Sequence, residues 1–227
     1  MKPFDAVLFD LDGTLLDTLR DIGNACNRVL TERGYPPHPI DAYRYLVGDG
    51  ARMLWARALP DGQRDDETVD DCLEAYIAEY ARGWNVNTQP YDGVGEMLDA
   101  LVSRGLKLAV LSNKPHPFTV QCVETFLARW RFHAVRGQGD AFPRKPDPAS
   151  AIDVARHLGT TPGRILYVGD TATDMQTATA AGMYPVGVLW GFRERTELES
   201  NGAKQIVAHP RELLALVPSP GTQQRFR

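Results

Sequence analysis

Cysteine is scarce in this sequence, with three residues scattered along a chain of 227. An odd number at irregular spacing predicts neither a disulfide framework nor a zinc site. Long apolar runs are also missing, since none approaches the ~20 residues of a membrane-spanning helix. The N-terminus shows no signal-peptide pattern, because acidic residues follow closely after Lys2. We therefore expect a cytoplasmic protein with no membrane partner.

An excess of charge of one sign is absent too. The formal net charge is −4, and the chain is 43% apolar and 24% charged. These values are ordinary for a globular protein and give no reason to expect nucleic acid as a partner. A small molecule remains as the expected partner, and the composition leaves both a monomer and a homodimer open.

What the sequence does contain is a series of short apolar runs separated by helical patterns. Continuous apolar runs are typical of parallel strands covered on both faces. Their alternation with helices, over 95–105 and 148–159, predicts an open, mostly parallel, Rossmann-like α/β sheet. The predicted strands are 4–9, 106–112, 165–169 and 184–190, with weaker candidates at 132–137 and 204–208.

The interval between the first two predicted strands is much longer than a crossover helix needs. It has a helical pattern, with an apolar stripe over 66–82 that includes Tyr76, Ile77 and Tyr80. We predict a helical domain over 17–89 inserted into an α/β domain. That α/β domain is formed by 1–16 and 90–217, with a flexible tail at 218–227.

Carboxylates cluster just beyond two of the predicted strands. Asp10 and Asp12 follow the first strand, and Asp170 and Asp174 follow 165–169. Ligands of open parallel sheets bind beyond the carboxyl ends of the strands. Four acids gathered there would be costly unless a cation offsets their charge. Oxygen ligands without histidine or cysteine favour Mg²⁺ over zinc.

The same edge of the sheet carries groups suited to phosphoryl transfer. Ser112 and Asn113 follow the second strand, and Lys145 lies in a proline-framed loop. Asp10 can attack phosphorus in line and form an aspartyl phosphate, while Lys145 and Ser112 stabilise the transferring group. Asp12 can protonate the leaving oxygen and later deprotonate the hydrolytic water.

These motifs, in this order, resemble those of the haloacid dehalogenase superfamily of phosphotransferases over about residues 4–208. The first motif is DLDGT at 10–14, and the second is Ser112-Asn113. The third is Lys145 in KPDP, and the fourth is GDTATD at 169–174. The resemblance implies that Ser112, Asn113 and Lys145 bind phosphate.

The resemblance also implies the roles of the four acids. Asp10 would be the nucleophile and a ligand of Mg²⁺. Asp12 would be the acid/base and would bind the metal through its backbone carbonyl. Asp170 would bind the metal through its carboxylate. Asp174 would bind the metal directly or through water, or would orient Lys145, and these alternatives stay open.

The inserted helices resemble the family's small α-helical cap, which closes over the site and selects the substrate. Residues 45–59 resemble the cap loop of phosphoglycolate phosphatases, with a Gly-x-Gly turn before an apolar helix. The two arginines near this turn could meet a substrate carboxylate bidentately. The candidate substrate contacts are Arg44, Gly48, Asp49, Gly50 and Arg52.

Residue choices narrow the reaction. Asp12 argues against dehalogenation, which has no alkoxide to protonate. The absence of lysine from 17–89 argues against phosphonoacetaldehyde hydrolases, which use a cap lysine. Residues 111–119 also resemble the phosphoglycolate phosphatase subgroup, with Lys114 predicted to face solvent. The best prediction is hydrolysis of 2-phosphoglycolate. A pyrophosphatase, a sugar or nucleotide phosphatase, a β-phosphoglucomutase-like mutase and a non-enzymatic phospho-acceptor module remain alternatives.

Overall fold

The computed structural model describes residues 4–139 and 142–217, so the predicted tail at 218–227 lies outside the described residues. Its strands are β1 (Ala6–Phe9), β2 (Leu16–Asp17), β3 (Gln89–Pro90), β4 (Lys107–Pro115), β5 (Phe132–Gln138), β6 (Ile165–Gly169), β7 (Tyr184–Val188) and β8 (Gln205–Val207). Its α-helices are α1 (Leu19–Glu32), α2 (Tyr43–Leu46), α3 (Ala51–Ala58), α4 (Asp66–Gly83), α5 (Val94–Ser103), α6 (His116–Phe126), α7 (Ala149–His157), α8 (Ala172–Ala180) and α9 (Arg195–Ser200). Short 3₁₀ helices cover Ile40–Ala42, Pro162–Arg164 and Pro210–Ala215.

Six parallel strands form the main sheet in the order β5-β4-β1-β6-β7-β8. Strand β1 lies in the interior of the sheet, and all four of its residues are fully buried. A continuous apolar strand is what a sheet covered on both faces requires. The predicted open parallel α/β sheet is confirmed, including its two weaker strands. No helix in the described ranges is long and apolar enough to cross a membrane.

The two faces of the sheet bury separate apolar clusters. On one face, Leu8 and Ala109 pack with residues of α7 and α8. On the other, Phe9 and Val110 belong to a larger cluster that includes residues of α5 and α6 and extends into the helices between β2 and β3. The sheet therefore holds the carboxyl ends of β1, β4 and β6 side by side against that helical layer.

Helices α1 to α4 all lie between the short strands β2 and β3, which pair antiparallel through Leu16–Pro90 and Asp17–Gln89. Beside this ladder, the buried carboxylate of Asp21 in α1 accepts the backbone N–H groups of Asn87, at 2.9 Å, and Thr88, at 2.8 Å. Hydrogen bonds from these two residues hold the pKa of Asp21 below its usual value, although burial alone would raise it. The entry into the helical segment and the exit from it are thus tied together.

Two local predictions are wrong. Ile77 in α4 is 40% exposed, because the buried residues Val69, Cys72, Tyr76 and Tyr80 form a narrow face that excludes it. The second strand, predicted over 106–112, does not end at Ser112 but continues irregularly to Pro115, which pairs with Gln138. This extension places the second motif inside the end of a strand.

Candidate active site

The turn after β1 brings two carboxylates to the edge of the sheet. The backbone N–H of Asp10 still bonds to Val168 O at 2.9 Å, so Asp10 continues the register of β1 beside β6. The chain then folds back on itself through bonds from Thr14 and Leu15 to the carbonyl of Leu11. Asp10 and Asp12 therefore leave the strand within one tight turn.

Gly13 makes this turn compatible with the acid that follows β6. Its φ is +86°, a conformation that glycine adopts without strain, and a β-carbon there would collide with the carboxylate of Asp170. Thr14 donates its hydroxyl to Asp170 Oδ1 at 3.0 Å, and the backbone N–H of Phe192 donates to Oδ2 at 2.8 Å. The DLDGT motif thus positions Asp170 as well as its own acids.

Three carboxylates converge behind this turn. Asp10, Asp170 and Asp174 are all buried, and one oxygen from each lies within 4.8 Å of the others. Burial, followed by the charge of Asp174, raises the pKa of Asp10 to about 7, although Lys145 acts in the opposite direction. Burial also raises the pKa of Asp170 well above its usual range, with a further contribution from Asp10.

Lys145 supplies the positive charge within this cluster. Its side chain is 2% exposed, and its Nζ lies 2.9 Å from Asp10 Oδ1 and 2.6 Å from Asp174 Oδ1. Burial alone would lower the pKa of Lys145, but the charges of Asp10 and Asp174 raise it well above its usual value. The ammonium is therefore held in its charged form beside Asp10.

Both oxygens of Asp174 are engaged by the protein. Oδ1 accepts from Lys145, while Oδ2 accepts the backbone N–H of Thr171 at 3.1 Å and its hydroxyl at 2.7 Å, capping α8. Among the alternatives open for Asp174, this arrangement favours the orientation of Lys145.

The donor set fits a hard divalent cation. The candidate ligand atoms of Asp10, Asp170 and Asp174 are all carboxylate oxygens, and Oδ1 of Asp10 is buried without a hydrogen bond of acceptable geometry from the described residues. One ammonium faces three acids, so the cluster lacks compensating charge. Carboxylates in this number suit Mg²⁺, which binds to one or two of them and keeps its remaining ligands as water and phosphate oxygens.

Ser112 and Asn113 lie at the end of β4, and both are buried. Ser112 lines a cavity together with Asp10 and Asp12. The amide of Asn113 holds the loop of Lys145 in place, since its Oδ1 accepts Lys145 N at 2.9 Å and its Nδ2 donates to Lys145 O at 3.2 Å. The same Nδ2 donates to Gly48 O at 3.1 Å. Asn113 thus bridges the core and the helical segment.

The structure corrects the prediction for Lys114. Its side chain is 4% exposed, and its Nζ donates to Asp12 Oδ1 at 3.0 Å and to the hydroxyl of Tyr80 at 2.8 Å. Burial alone would lower the pKa of Lys114, but the carboxylate of Asp12 raises it above its usual value. Lys114 points inward because the irregular end of β4 buries three consecutive residues, and Asp12 and Tyr80 hold its ammonium there.

A cavity of about 50 Å³ lies between these core residues and the helical segment. Gly48 and Gly50 line it opposite Asp10 and Asp12. Gly50 has φ +87°, and a β-carbon there would come within 2.7 Å of Gln138 Oε1. The predicted Gly-x-Gly turn therefore approaches the site closely at both glycines.

Three other predicted cap contacts are directed elsewhere. Asp49 bonds to Thr173 Oγ1 at 2.5 Å and pairs with Arg57, outside the cavity lining. Arg44 donates to Gly191 O at 2.7 Å, so it ties the helical segment to the core.

Arg52 is 41% exposed and pairs with Asp66 at 2.5 Å and Asp70 at 2.9 Å. A direct contact of Arg52 with substrate is not supported, because acids on the neighbouring helix α4 hold it at the surface.

The residues missed by sequence reasoning share one property, which is that they join separate parts of the chain. Lys114 and Tyr80 link Asp12 to α4, and Asp21 links the two ends of the helical segment. For Lys114 the sequence offered no local signal, because the irregular end of β4 buries Ser112, Asn113 and Lys114 alike. Tyr80 was predicted only as an apolar packing residue.

The family model for haloacid dehalogenase-like hydrolases matches residues 7–188, so the chain belongs to that family of enzymes. Two similar curated relatives are phosphoglycolate phosphatases. That of Pseudomonas putida KT2440 is 35% identical over 221 residues, covering 95% of this chain and 80% of the relative. That of Psychrobacter arcticus is 35% identical over 193 residues, covering 82% of this chain and 84% of the relative. A crystal structure of a candidate phosphoglycolate phosphatase from Lactobacillus delbrueckii subsp. bulgaricus has a TM-score of 0.88 and 27% sequence identity. The match covers 95% of this chain and 98% of that protein. The family resemblance read from the motifs is confirmed.

Proposed function

We propose that this protein is a Mg²⁺-dependent phosphatase that hydrolyses a small phosphomonoester, with 2-phosphoglycolate as the best candidate. The observation that carries the proposal is the buried group of Asp10, Lys145 and Asp170 directly beside Asp12 and the cavity. The similarity to phosphoglycolate phosphatases supports the choice of substrate.

In the first step, an oxygen of Asp10 attacks phosphorus in line with the ester bond. The new bond joins this oxygen to phosphorus, so that Asp10 becomes an acyl phosphate. The ester P–O bond breaks at the same time, and its electron pair stays on the leaving oxygen. Asp12 gives its proton to that oxygen. Lys145 and Ser112 bind the equatorial oxygens and stabilise their charge.

In the second step, water attacks the same phosphorus and Asp12 accepts its proton. Inorganic phosphate leaves and the carboxylate of Asp10 is restored. Each proton that Asp12 gives in the first step is thus returned in the second.

Asp10 and Asp170 would hold Mg²⁺ through their carboxylates and Asp12 through its backbone carbonyl, while Asp174 orients Lys145. When bound, the metal supplies positive charge that offsets the charge of the transferring phosphoryl group. Because the carboxylates of Asp10, Asp170 and Asp174 are buried, water screens little of the charge of the metal.

The helical segment, residues 17–89, acts as a cap that sets the size of the substrate. The cavity under Gly48 and Gly50 has about 50 Å³, and a single water needs ~10–15 Å³ of such space. Space of this size matches a leaving group of a few atoms. A cytoplasmic location stays a prediction.

The proposal is tested by phosphate release from a panel of esters, with Mg²⁺ or with EDTA. The panel contains 2-phosphoglycolate, pyrophosphate, a sugar phosphate and a nucleotide. A metal-dependent preference for 2-phosphoglycolate is expected. A preference for another ester would keep the mechanism and reject the substrate, and no release from any compound would reject the phosphatase.

Replacing Ser112 by alanine is expected to lower kcat by about 10²-fold, because one donor to the transferring group is lost. The measurement is steady-state phosphate release at saturating substrate. Ser103→Ala is the matched control, since Ser103 is exposed at the end of α5 and its hydroxyl bonds to Ala100 O of the same helix. An unchanged rate in Ser112→Ala would place Ser112 outside the site.

Mg²⁺ is expected to raise the melting temperature more at pH 8 than at pH 5.5. Because burial raises the pKa of Asp10 to about 7, the metal-free folded protein holds a proton that the unfolded chain releases near pH 4. An acid with a raised folded pKa stabilises the fold at low pH and loses this contribution as the pH rises through about 7. Ionised carboxylates are then available to the metal, whereas protons compete for them at pH 5.5.

The readout is thermal unfolding with Mg²⁺ and with EDTA at each pH. Asp170→Asn, which removes one proposed ligand, is expected to shrink the metal-induced shift at pH 8. Equal shifts at both pH values in the wild type would contradict a metal site built on these acids.

A further inference from the structure

Lys114 is the basic residue that lines the cavity beside Asp12, and no other arginine or lysine among the described residues contributes to that lining. We propose that its ammonium binds a carboxylate on the leaving group of the substrate and so selects phosphorylated hydroxy acids with a short chain. This inference rests on the proposed function and assigns the residue that recognises the acid.

The role of Asp12 indicates where Lys114 lies relative to the leaving group of the substrate. A residue that protonates the leaving oxygen must lie within hydrogen-bond reach of it. Lys114 Nζ is 3.0 Å from Asp12 Oδ1. A carboxylate one carbon away from the leaving oxygen would thus lie next to this ammonium.

The ammonium can turn one donor toward such a group by giving up one of its two bonds to Asp12. A lysine carries three N–H donors, and Nζ of Lys114 lies 3.0 Å from Oδ1 and 3.2 Å from Oδ2 of Asp12 and 2.8 Å from the hydroxyl of Tyr80. One oxygen of Asp12 is enough to hold the ammonium, so a substrate carboxylate can take the place of the longer of the two bonds. These two partners fix the direction of the side chain from the core and from α4. A pre-positioned ammonium loses little side-chain entropy when a ligand arrives.

The apolar residues that line the rest of the cavity strengthen a contact between a substrate carboxylate and Lys114. Ile22, Val47, Ala51 and Leu54 give the cavity an apolar lining on the side of the helical segment. An incoming carboxylate gives up water there, so its hydrogen bond with a buried cation is stronger than at the surface.

The other candidate cations do not line the cavity and are held by other partners. Lys145 lies between Asp10 and Asp174, Arg44 donates to Gly191 O, and Arg52 pairs with acids on α4. Lys114 therefore takes the role that the sequence suggested for the two arginines.

The test compares two esters that differ in the proposed contact. 2-Phosphoglycolate carries a carboxylate where ethyl phosphate carries a methyl group. The quantity measured is kcat/KM for each ester with wild type and with Lys114→Met. The wild type is expected to prefer 2-phosphoglycolate. In Lys114→Met, kcat/KM for 2-phosphoglycolate is expected to fall by about 10²-fold more than that for ethyl phosphate, because one charge-assisted hydrogen bond is lost.

If Lys114 acts only through Asp12, the two esters respond to its replacement in a different way. If Lys114 only positions Asp12, both esters lose activity by the same factor, and the inference is overturned. Tyr80→Phe is the matched control, because it removes one partner of Lys114 but keeps the charge, and it is expected to retain the preference for 2-phosphoglycolate. Lys114→Gln, which keeps donors for Asp12 and Tyr80, replaces the methionine variant if that one does not fold.

The wild type alone gives a further check. A wild type that hydrolyses 2-phosphoglycolate without preferring it to ethyl phosphate overturns the inference and leaves the proposed function standing. A wild type that hydrolyses other esters but not 2-phosphoglycolate overturns both the proposed substrate and the role of Lys114.

Discussion

Asparagine in place of Asp10 is expected to lower kcat by more than about 10⁴-fold while the protein stays folded. The amide has the same shape as the carboxylate but no anionic oxygen that can attack phosphorus. It fits the same buried position beside Lys145. The measurement is phosphate release under single-turnover conditions, with circular dichroism to verify the fold.

Asp12→Asn separates the two acids by their roles. p-Nitrophenyl phosphate has a leaving group that needs no proton, so Asp12→Asn is expected to release one equivalent of p-nitrophenol in a burst and then stall. The stall arises because the acyl phosphate on Asp10 has no base to activate water. Asp10→Asn is expected to show no burst.

The matched control for Asp10→Asn is Asp41→Asn, at an acid that is 92% exposed and 4.0 Å from Arg44. It makes the same chemical change away from the site and is expected to keep wild-type kcat. A burst in Asp10→Asn, or a rate within tenfold of wild type, would show that another group is the nucleophile.

The main sheet could be predicted because its strands carry their own signal. Residues 6–9 and 165–169 are fully apolar or small, which indicates burial on both faces before any contact is known. The end of β4 could not be predicted, since it depends on Pro115 pairing with Gln138 of β5 beyond an irregularity, which the composition of this stretch does not encode.

The core of the candidate site could be predicted for a related reason. Asp10, Ser112 and Asp170 come together because the carboxyl ends of parallel strands meet at one edge of the sheet. The contacts of the helical segment depend on how its helices pack on the core, which no local pattern encodes. Arg52 therefore pairs with acids on α4, and Lys114 meets Tyr80.

Methionine in place of Lys145 is expected to lower both activity and stability. The ammonium pairs with Asp10 at 2.9 Å and Asp174 at 2.6 Å, and all three side chains are buried. Removing one partner of a buried ion pair costs about 3–5 kcal/mol, because the remaining charge is left unpaired. We expect this loss in the free energy of unfolding by denaturant in EDTA, and a fall in kcat of at least about 10²-fold because a cation on the transferring group is lost.

The destabilisation has a pH dependence of known sign. In the wild type, burial already raises the pKa of Asp10 to about 7. Without the ammonium the folded acids bind protons still more tightly than the unfolded chain, so stability must increase as the pH falls. Lys145→Met is therefore expected to lie closer to the wild type at pH 5.5 than at pH 8, and Mg²⁺ is expected to restore part of the loss at pH 8.

Lys204→Met is the matched control for this change. Lys204 is exposed, with its Nζ 5.6 Å from the ring of Tyr184, so its replacement is expected to leave the free energy of unfolding within ~0.5 kcal/mol of the wild type. If Lys145→Met in EDTA is as stable as Lys204→Met at pH 8, the ammonium of Lys145 does not offset negative charge on the three acids. The charge argument for a cation at Asp10 and Asp170 would then fail together with the proposed role of Lys145.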